Sequence, residues 1–189
     1  MSKEESYNIL ITGCNSGIGL YLVNKFAKQN KKNRVFCCSR KNNNISKEIK
    51  LNKLDNVFFY NCDVSNIDDI KKLKKKILKK TNKIDILINS AAVIGSVEKI
   101  HKCNVKEWIS ALNINLVGTF LTIKVFFDLI YRSSHKFIFN FSGGGAFSDF
   151  DSFSAYAISK AGVVRLTECI SSEYKKIKIF CLAPGFIST

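Results

Sequence analysis

Short apolar runs alternate with longer stretches of helical spacing along this 189-residue chain. The runs Tyr7–Ile11, Arg34–Ser39, Val57–Asn61, Ile84–Asn89, Lys136–Phe141 and Lys178–Leu182 are rich in Ile, Val and Phe and bounded by Gly, Asn or Ser, which is the pattern of strands. Their apolar residues are nearly continuous, so both faces of each strand are expected to be covered. Between them, Ile18–Gln29, Ile67–Thr81, Val105–Tyr131 and Ala155–Tyr174 carry apolar residues at helical periods. Strand, helix, strand repeated in this way predicts an α/β fold: a doubly wound parallel sheet in three layers, with helices on both sides. The segment Lys41–Asp55 reads either as a short helix or as loop. No repeat, linker or shift in composition divides the chain, so residues 1–189 are expected to form one domain.

Charge and cysteine usage narrow the function classes. The formal charge of +15 raises the question of nucleic acid, because basic domains attract phosphate backbones. The lysines of Lys41–Lys53 and Lys71–Lys80, however, alternate with acidic and apolar residues in amphipathic order, so they read as solvated helix faces and no nucleic-acid partner is expected. No apolar stretch approaches the roughly 20 residues that span a bilayer, and Met1-Ser-Lys-Glu-Glu-Ser lacks the order of a signal peptide, so no membrane partner and a cytoplasmic location are expected. Seven cysteines with no C-x-x-C pair argue against a disulfide framework and against a zinc site, and no metal is expected.

Two motifs carry chemistry. Thr12-Gly13-Cys14-Asn15-Ser16-Gly17-Ile18-Gly19 joins the first apolar run to the first helical stretch. A tight strand-to-helix turn lets backbone amides and the helix dipole face a pyrophosphate, provided no side chain blocks the approach. Gly13, Gly17 and Gly19 supply that room, and Asn15 and Ser16 are placed to hold the loop through side-chain bonds to backbone. The second motif sets Tyr156 and Lys160 four residues apart, on one helix face. An ammonium near a phenol favours the phenolate, which would lower an ordinary pKa of about 10. Reduction of a carbonyl by hydride leaves an alkoxide that needs a proton, and a phenol so tuned can supply it.

With that loop, Asn89-Ser90-Ala91-Ala92, Asn115-Leu116-Val117-Gly118, Tyr156-x-x-x-Lys160 and Pro184-Gly185 all in order, the chain resembles the short-chain dehydrogenase/reductase family over its whole length. The resemblance implies a Rossmann-like sheet of order 3-2-1-4-5-6 and an oxidoreductase that interconverts a carbonyl and a secondary alcohol with a nicotinamide cofactor. By that likeness the first helix, with Gly13 to Gly19 and Ile18 among them, holds the pyrophosphate. Asp63 and Val64 would flank the adenine. Asn89 and Ala91 would close the cofactor pocket, Lys160 would grip the nicotinamide ribose, and Pro184, Gly185 and Thr189 would follow, with Thr189 at the carboxamide. Ala92 stands where the family has glycine, which would narrow the nicotinamide side. Asn115, an amide inside an apolar stretch, would hold a water of the proton relay to Lys160 or else bridge neighbouring backbone, and Gly118 is placed to ease a local distortion.

The second strand ends in Ser39-Arg40 rather than in an acidic side chain, and arginine accommodates a 2′-phosphate, so NADP(H) is expected over NAD(H) unless Arg40 is a plain solvent-facing charge. The family's carbonyl-polarising serine falls on Gly143, and Ser142 lies one residue early. The freedom of Gly143-Gly144-Gly145 is expected to present Ser142 instead, completing a catalytic set of Tyr156, Lys160, Ser142 and Asn115. Gly143 also keeps open a non-catalytic dinucleotide-binding regulator, and the cofactor half alone fits a nucleotide-sugar epimerase or dehydratase of the wider family. The family continues past its Pro-Gly motif with a lid, a last helix and a final strand. The chain therefore reads as C-terminally incomplete, with an exposed sixth strand and poor activity or stability. Its substrate is expected to be a small carbonyl or alcohol compound. The two long helices bear Phe120, Ile123, Phe127, Val164 and Leu166, most of them explained by burial against the sheet; the resemblance implies that these helices pair across a dimer axis, so a homo-oligomer is expected when full length.

Overall fold

The computed structural model describes residues 5–185. Strands β1 (Asn8–Thr12), β2 (Arg34–Ser39), β3 (Val57–Asn61), β4 (Ile86–Asn89), β5 (Phe137–Phe141) and β6 (Lys178–Leu182) form a parallel six-stranded sheet of order β3-β2-β1-β4-β5-β6. Helices α1 (Gly17–Gln29), α2 (Asn43–Leu51), α3 (Ile67–Leu78), α4 (Val105–Leu112), α5 (Gly118–Tyr131) and α6 (Ser154–Glu173) complete the described fold. The order reverses direction between β1 and β4, which opens a crevice at the carboxyl ends of those strands.

Successive strand residues point to opposite faces and build two cores. On one face Leu10, Phe36, Leu87 and Ile138 meet Ile70, Leu73 and Ile77 of α3 and Ile123, Phe126, Leu129 and Ile130 of α5. On the other, Ile9, Ile11, Val35, Ile86 and Ile88 meet Val23 and Ala27 of α1 and Ile45 of α2. That second face thins towards β6. Phe139, Phe141, Leu182 and Pro184 line an open apolar groove against Tyr21 and Phe26 of α1, and Phe180 stays 44% exposed on the edge strand.

Lys41–Asp55 contains a helix, α2, and its cap comes from outside. Asn15 Oδ1 accepts the amides of Asn44 and Ile45 at 3.0 and 3.2 Å, satisfying first-turn donors from a residue in the glycine loop. Helix α3 caps itself, with Asn66 accepting from Asp68 and Asp69 and with Lys75 and Lys76 in its last turn. The predicted helix Val105–Tyr131 is continuous but carries a π turn at Asn113–Val117 between α4 and α5. Against the reading from sequence, these 27 residues, which contain an 18-residue window of mean hydropathy 1.5, are long and apolar enough to cross a bilayer. Half of that window is buried in the protein, where the helix packs on α3, α6 and β4.

The amino-terminal end of the sheet is tied by one carboxylate. Asp85 is fully buried, accepts from the Asn8 amide at 2.8 Å and from Ser133 Oγ at 2.6 Å, and lies 3.3 Å from Lys83 Nζ. Burial pushes its pKa up, but the bonds from Asn8 and Ser133 and the Lys83 charge outweigh that and hold it below the ordinary value.

Candidate active site

The glycine loop is folded against two neighbours. The amides of Gly13 and Cys14 both donate to the Cys38 carbonyl of β2, at 2.8 and 3.3 Å. Gly13 has φ +70°, and a Cβ there would lie 2.6 Å from the Ala91 backbone, so only glycine lets the loop touch the turn after β4. The Ala91 amide donates to Thr12 Oγ1 at 3.2 Å and Ser90 Oγ to the Thr12 carbonyl, closing that contact. Asn15 does hold the loop through side-chain bonds, although its partners are in α2. Ser16 does not: it begins α1 without a side-chain cap bond. The first amides of α1, at Gly17, Ile18 and Gly19, therefore have no intrahelical acceptor and border the crevice.

The crevice is a continuous cleft of about 890 Å³, a volume in the range of small-molecule sites. It brings together the loop residues Gly13, Asn15, Ser16, Gly17, Ile18 and Gly19 with Arg40, Asp63, Val64, Ala91, Ser142, Tyr156, Lys160, Pro184 and Gly185. Asp63 Oδ1 accepts from the Ser65 amide and hydroxyl at 2.9 and 2.7 Å, and its Oδ2 stands 4.0 Å from Arg40 Nη1. The Arg40 guanidinium is more than half exposed, so this pair holds it loosely. Val64 packs on Gly118, where a Cβ would come within 2.8 Å of the valine, so close packing is one reason for glycine directly after the π turn.

At the chemical end, Tyr156 and Lys160 rise from the first turns of α6. Lys160 is 5% exposed, and its Nζ donates to the Phe141 carbonyl of β5 at 2.9 Å. Burial pulls its pKa down from 10.5 to about 8. The ammonium lies 5.4 Å from the centre of the Tyr156 ring. The expectation that Lys160 lowers the phenol's pKa is not met: burial raises it. The lysine charge faces β5, and desolvation of the phenolate prevails. At neutral pH the hydroxyl thus keeps its proton, the state a donor needs.

Gly143 gives the hydroxyl its space. A Cβ at Gly143 would stand 2.6 Å from Tyr156 Oη, so a side chain there would require the phenol to shift. Ser142 pairs through its amide with the Leu182 carbonyl at 2.8 Å, while its Oγ, buried at the cleft wall, has no partner.

Two expected site residues face elsewhere. Asn89 does not line the cleft; its Nδ2 donates to Asn140 Oδ1 at 2.9 Å inside the sheet, because β4 and β5 pair these two residues directly. Asn115 is 1% exposed within the π turn, and its side chain is engaged by protein: Oδ1 accepts from the Val93 amide at 2.8 Å, and Nδ2 donates to the Val93 carbonyl at 2.8 Å and to Ser159 Oγ at 2.9 Å. It bridges backbone instead of facing the cleft. Thr189 lies outside the described residues. Sequence reasoning missed Lys41, Val93, Ile94, Phe150 and Phe153, which also line the cleft. Their signals were faint: a second basic residue after Arg40, and two phenylalanines three apart ahead of Tyr156.

A doubly wound parallel sheet with a glycine loop and a Tyr-x-x-x-Lys helix around one crevice defines the class. Residues 7–189 match the short chain dehydrogenase family, and the chain belongs to it. It is 27% identical over 176 residues to an uncharacterized oxidoreductase of Saccharomyces cerevisiae, an alignment covering 93% of the chain and 55% of that relative, so the chain spans about half of the relative's length. An alcohol dehydrogenase of Thermococcus sibiricus, solved with 5-hydroxy-NADP, superposes at TM-score 0.89 and 21% identity over 98% of this chain and 78% of its own. A Burkholderia phymatum short-chain dehydrogenase/reductase solved with NAD superposes at 0.88 and 20% identity, over 99% and 68%.

Proposed function

We propose that the protein is an NADP(H)-dependent oxidoreductase acting between a carbonyl and a secondary alcohol, with Tyr156 as the proton donor. The observation that carries this reading is the convergence on one cleft of the Tyr156 phenol, a buried lysine and Ser142, continuous with the first amides of α1. The site's donors fit a dinucleotide: Gly13 and Gly19 keep the loop clear, and the first turn of α1 offers amides to a pyrophosphate. A bound nicotinamide supplies or accepts the hydride.

The chain's own residues do the rest. Tyr156 Oη gives its proton to the nascent alkoxide, Ser142 Oγ donates a hydrogen bond to the same oxygen, and Lys160, held by the Phe141 carbonyl, fixes the cationic end of the site. Asn115 positions α6 against the turn after β4 through Ser159, which donates to the Tyr156 carbonyl at 2.7 Å. Arg40, exposed and only 4.0 Å from one carboxylate oxygen, is free to turn towards a 2′-phosphate. A cytoplasmic location and a homo-oligomer belong to the same reading, the latter supported by Phe120, Ile109 and Ile158, which leave apolar surface exposed on the long helices.

The test is oxidation of NADPH and NADH with a panel of ketones. The chain should prefer NADPH, and Arg40→Asp should shift the KM ratio towards NADH by about 10-fold or more, the range of a charge-assisted contact. Cofactor binding without turnover would support the regulator instead, and an unchanged ratio would remove the role of Arg40.

A further inference from the structure

One part of the cleft has no role in these steps. Phe150 and Phe153, just ahead of α6, stack with ring centres 4.6 Å apart and planes at 28°, and Phe150 lies 6.4 Å from the Tyr156 ring. Both line the cleft together with Ser142 and Tyr156. The glycine run lets the loop pack closely on Phe150. A Cβ on Gly144 would touch the Phe150 ring at 3.4 Å, and one on Gly145, where φ is +81°, would come within 2.6 Å of Phe150 Cβ.

Bonds on either side hold this pair in place. Lys99 Nζ donates to both carboxylate oxygens of Asp151 at 2.7 Å, and Trp108 Nε1 donates to Ser154 Oγ at 3.0 Å. The Phe153 amide donates to the Phe150 carbonyl at 3.2 Å. Ser154, next to Phe153, is thus tied to α4 through Trp108, while the exposed Lys99–Asp151 pair adds a looser restraint beside Phe150.

Charge separates the two ends of the cleft. Its charged lining residues are Arg40, Lys41 and Asp63, which follow β2 and β3, and Lys160, whose ammonium already serves the Phe141 carbonyl. The phenylalanines offer no partner to an anion, and an unpaired carboxylate is strongly disfavoured beside them. Val93 and Ile94 add further apolar lining, with Val93 tied through Asn115 to Ser159, three residues from Tyr156.

We infer that the carbonyl substrate carries an uncharged aromatic or bulky apolar substituent that stacks on Phe150 and Phe153. This rests on the proposed reaction at Tyr156, and the test separates the two. With NADPH, kcat/KM is measured for acetophenone, butan-2-one and 4-oxopentanoate on the chain and on Phe150→Ala, Phe153→Ala and Phe147→Ala. Phe147 is 82% exposed and outside the cleft lining, so it serves as the control.

Acetophenone should exceed butan-2-one by about 10-fold or more, with 4-oxopentanoate last, and either cleft variant should flatten the ratio while Phe147→Ala keeps it. Preference for 4-oxopentanoate, or an unchanged ratio in Phe150→Ala, would overturn the inference. Absence of turnover on every ketone would sink the reaction and not the stacking surface. Calorimetric titration of 1-phenylethanol and 3-hydroxybutyrate into the NADP-loaded protein then decides: tighter phenyl binding that is lost in Phe150→Ala supports the surface, and equal or tighter binding of the hydroxy acid overturns it.

Discussion

The two ends of the sheet hold their most buried ionisable groups in different ways. Where the strands begin, Asp85 has a partner for each oxygen, drawn from Asn8, Ser133 and Lys83, and it joins β1, β4 and the turn after α5. Where they finish, Lys160 is nearly as buried with a single carbonyl for its ammonium, and Ser142 Oγ and Asn89 Oδ1 have no partner at all. A buried donor or acceptor left unpaired costs about 1–3 kcal/mol, so the second end is unstable ground by comparison. Lys160 and Ser142 are both among the residues that line the cleft, with the Ser142 Oγ itself buried in its wall. One end serves stability; the other holds donors in reserve.

Substitutions should therefore act with opposite signs at the two ends. The largest effect is expected for Asp85→Ala, which strips the partners of Asn8 and Ser133: a loss of roughly 3–5 kcal/mol in denaturant unfolding, the range for breaking a buried charged network. Its pH signature follows from the depressed pKa. The stabilisation is present above the unfolded value of about 4 and is lost as pH falls through the folded one, so Asp85→Ala should abolish part of the acid sensitivity.

Lys160 should show the reverse. With its pKa pulled from 10.5 to about 8, the unfolded chain binds the extra proton between those values, so stability should rise with pH across that window. Lys160→Met should remove that alkaline rise and add up to about 3 kcal/mol at neutral pH, while turnover falls. An equally steep rise in the variant would assign it to another group. The smallest stability change belongs to Ser142→Ala, a gain of about 1 kcal/mol or less from deleting an orphaned hydroxyl, set against a turnover loss of about 10²-fold. A marked destabilisation there would mean that the hydroxyl has a protein partner.

The difference between the ends also marks what the sequence made legible. Strand and helix order, the glycine loop and the Tyr156–Lys160 pair are local patterns, and each lies within three residues of its expected place. Helix α2 was ambiguous because its cap, Asn15, sits 29 residues before the amide of Asn44. The role of Asn89 depended on the pairing of β4 with β5, which sets it against Asn140 and away from the cleft. The sign of the Tyr156 shift was misjudged for the same reason: spacing of four brings Lys160 to the ring, but a carbonyl 19 residues earlier takes its ammonium. Gly143, read as standing at the family's serine position, lies against the Tyr156 hydroxyl, a contact between residues 13 apart that the sequence did not show.

The account stands or falls on the Tyr156 hydroxyl as the group that delivers the proton. Single-turnover oxidation of bound NADPH with acetophenone, followed in the chain and in Tyr156→Phe with NADPH affinity measured on the same samples, tests it most directly. Equal affinity with a rate lower by about 10²-fold or more in the variant is the predicted result. A phenylalanine variant that turns over at the parent rate would contradict it.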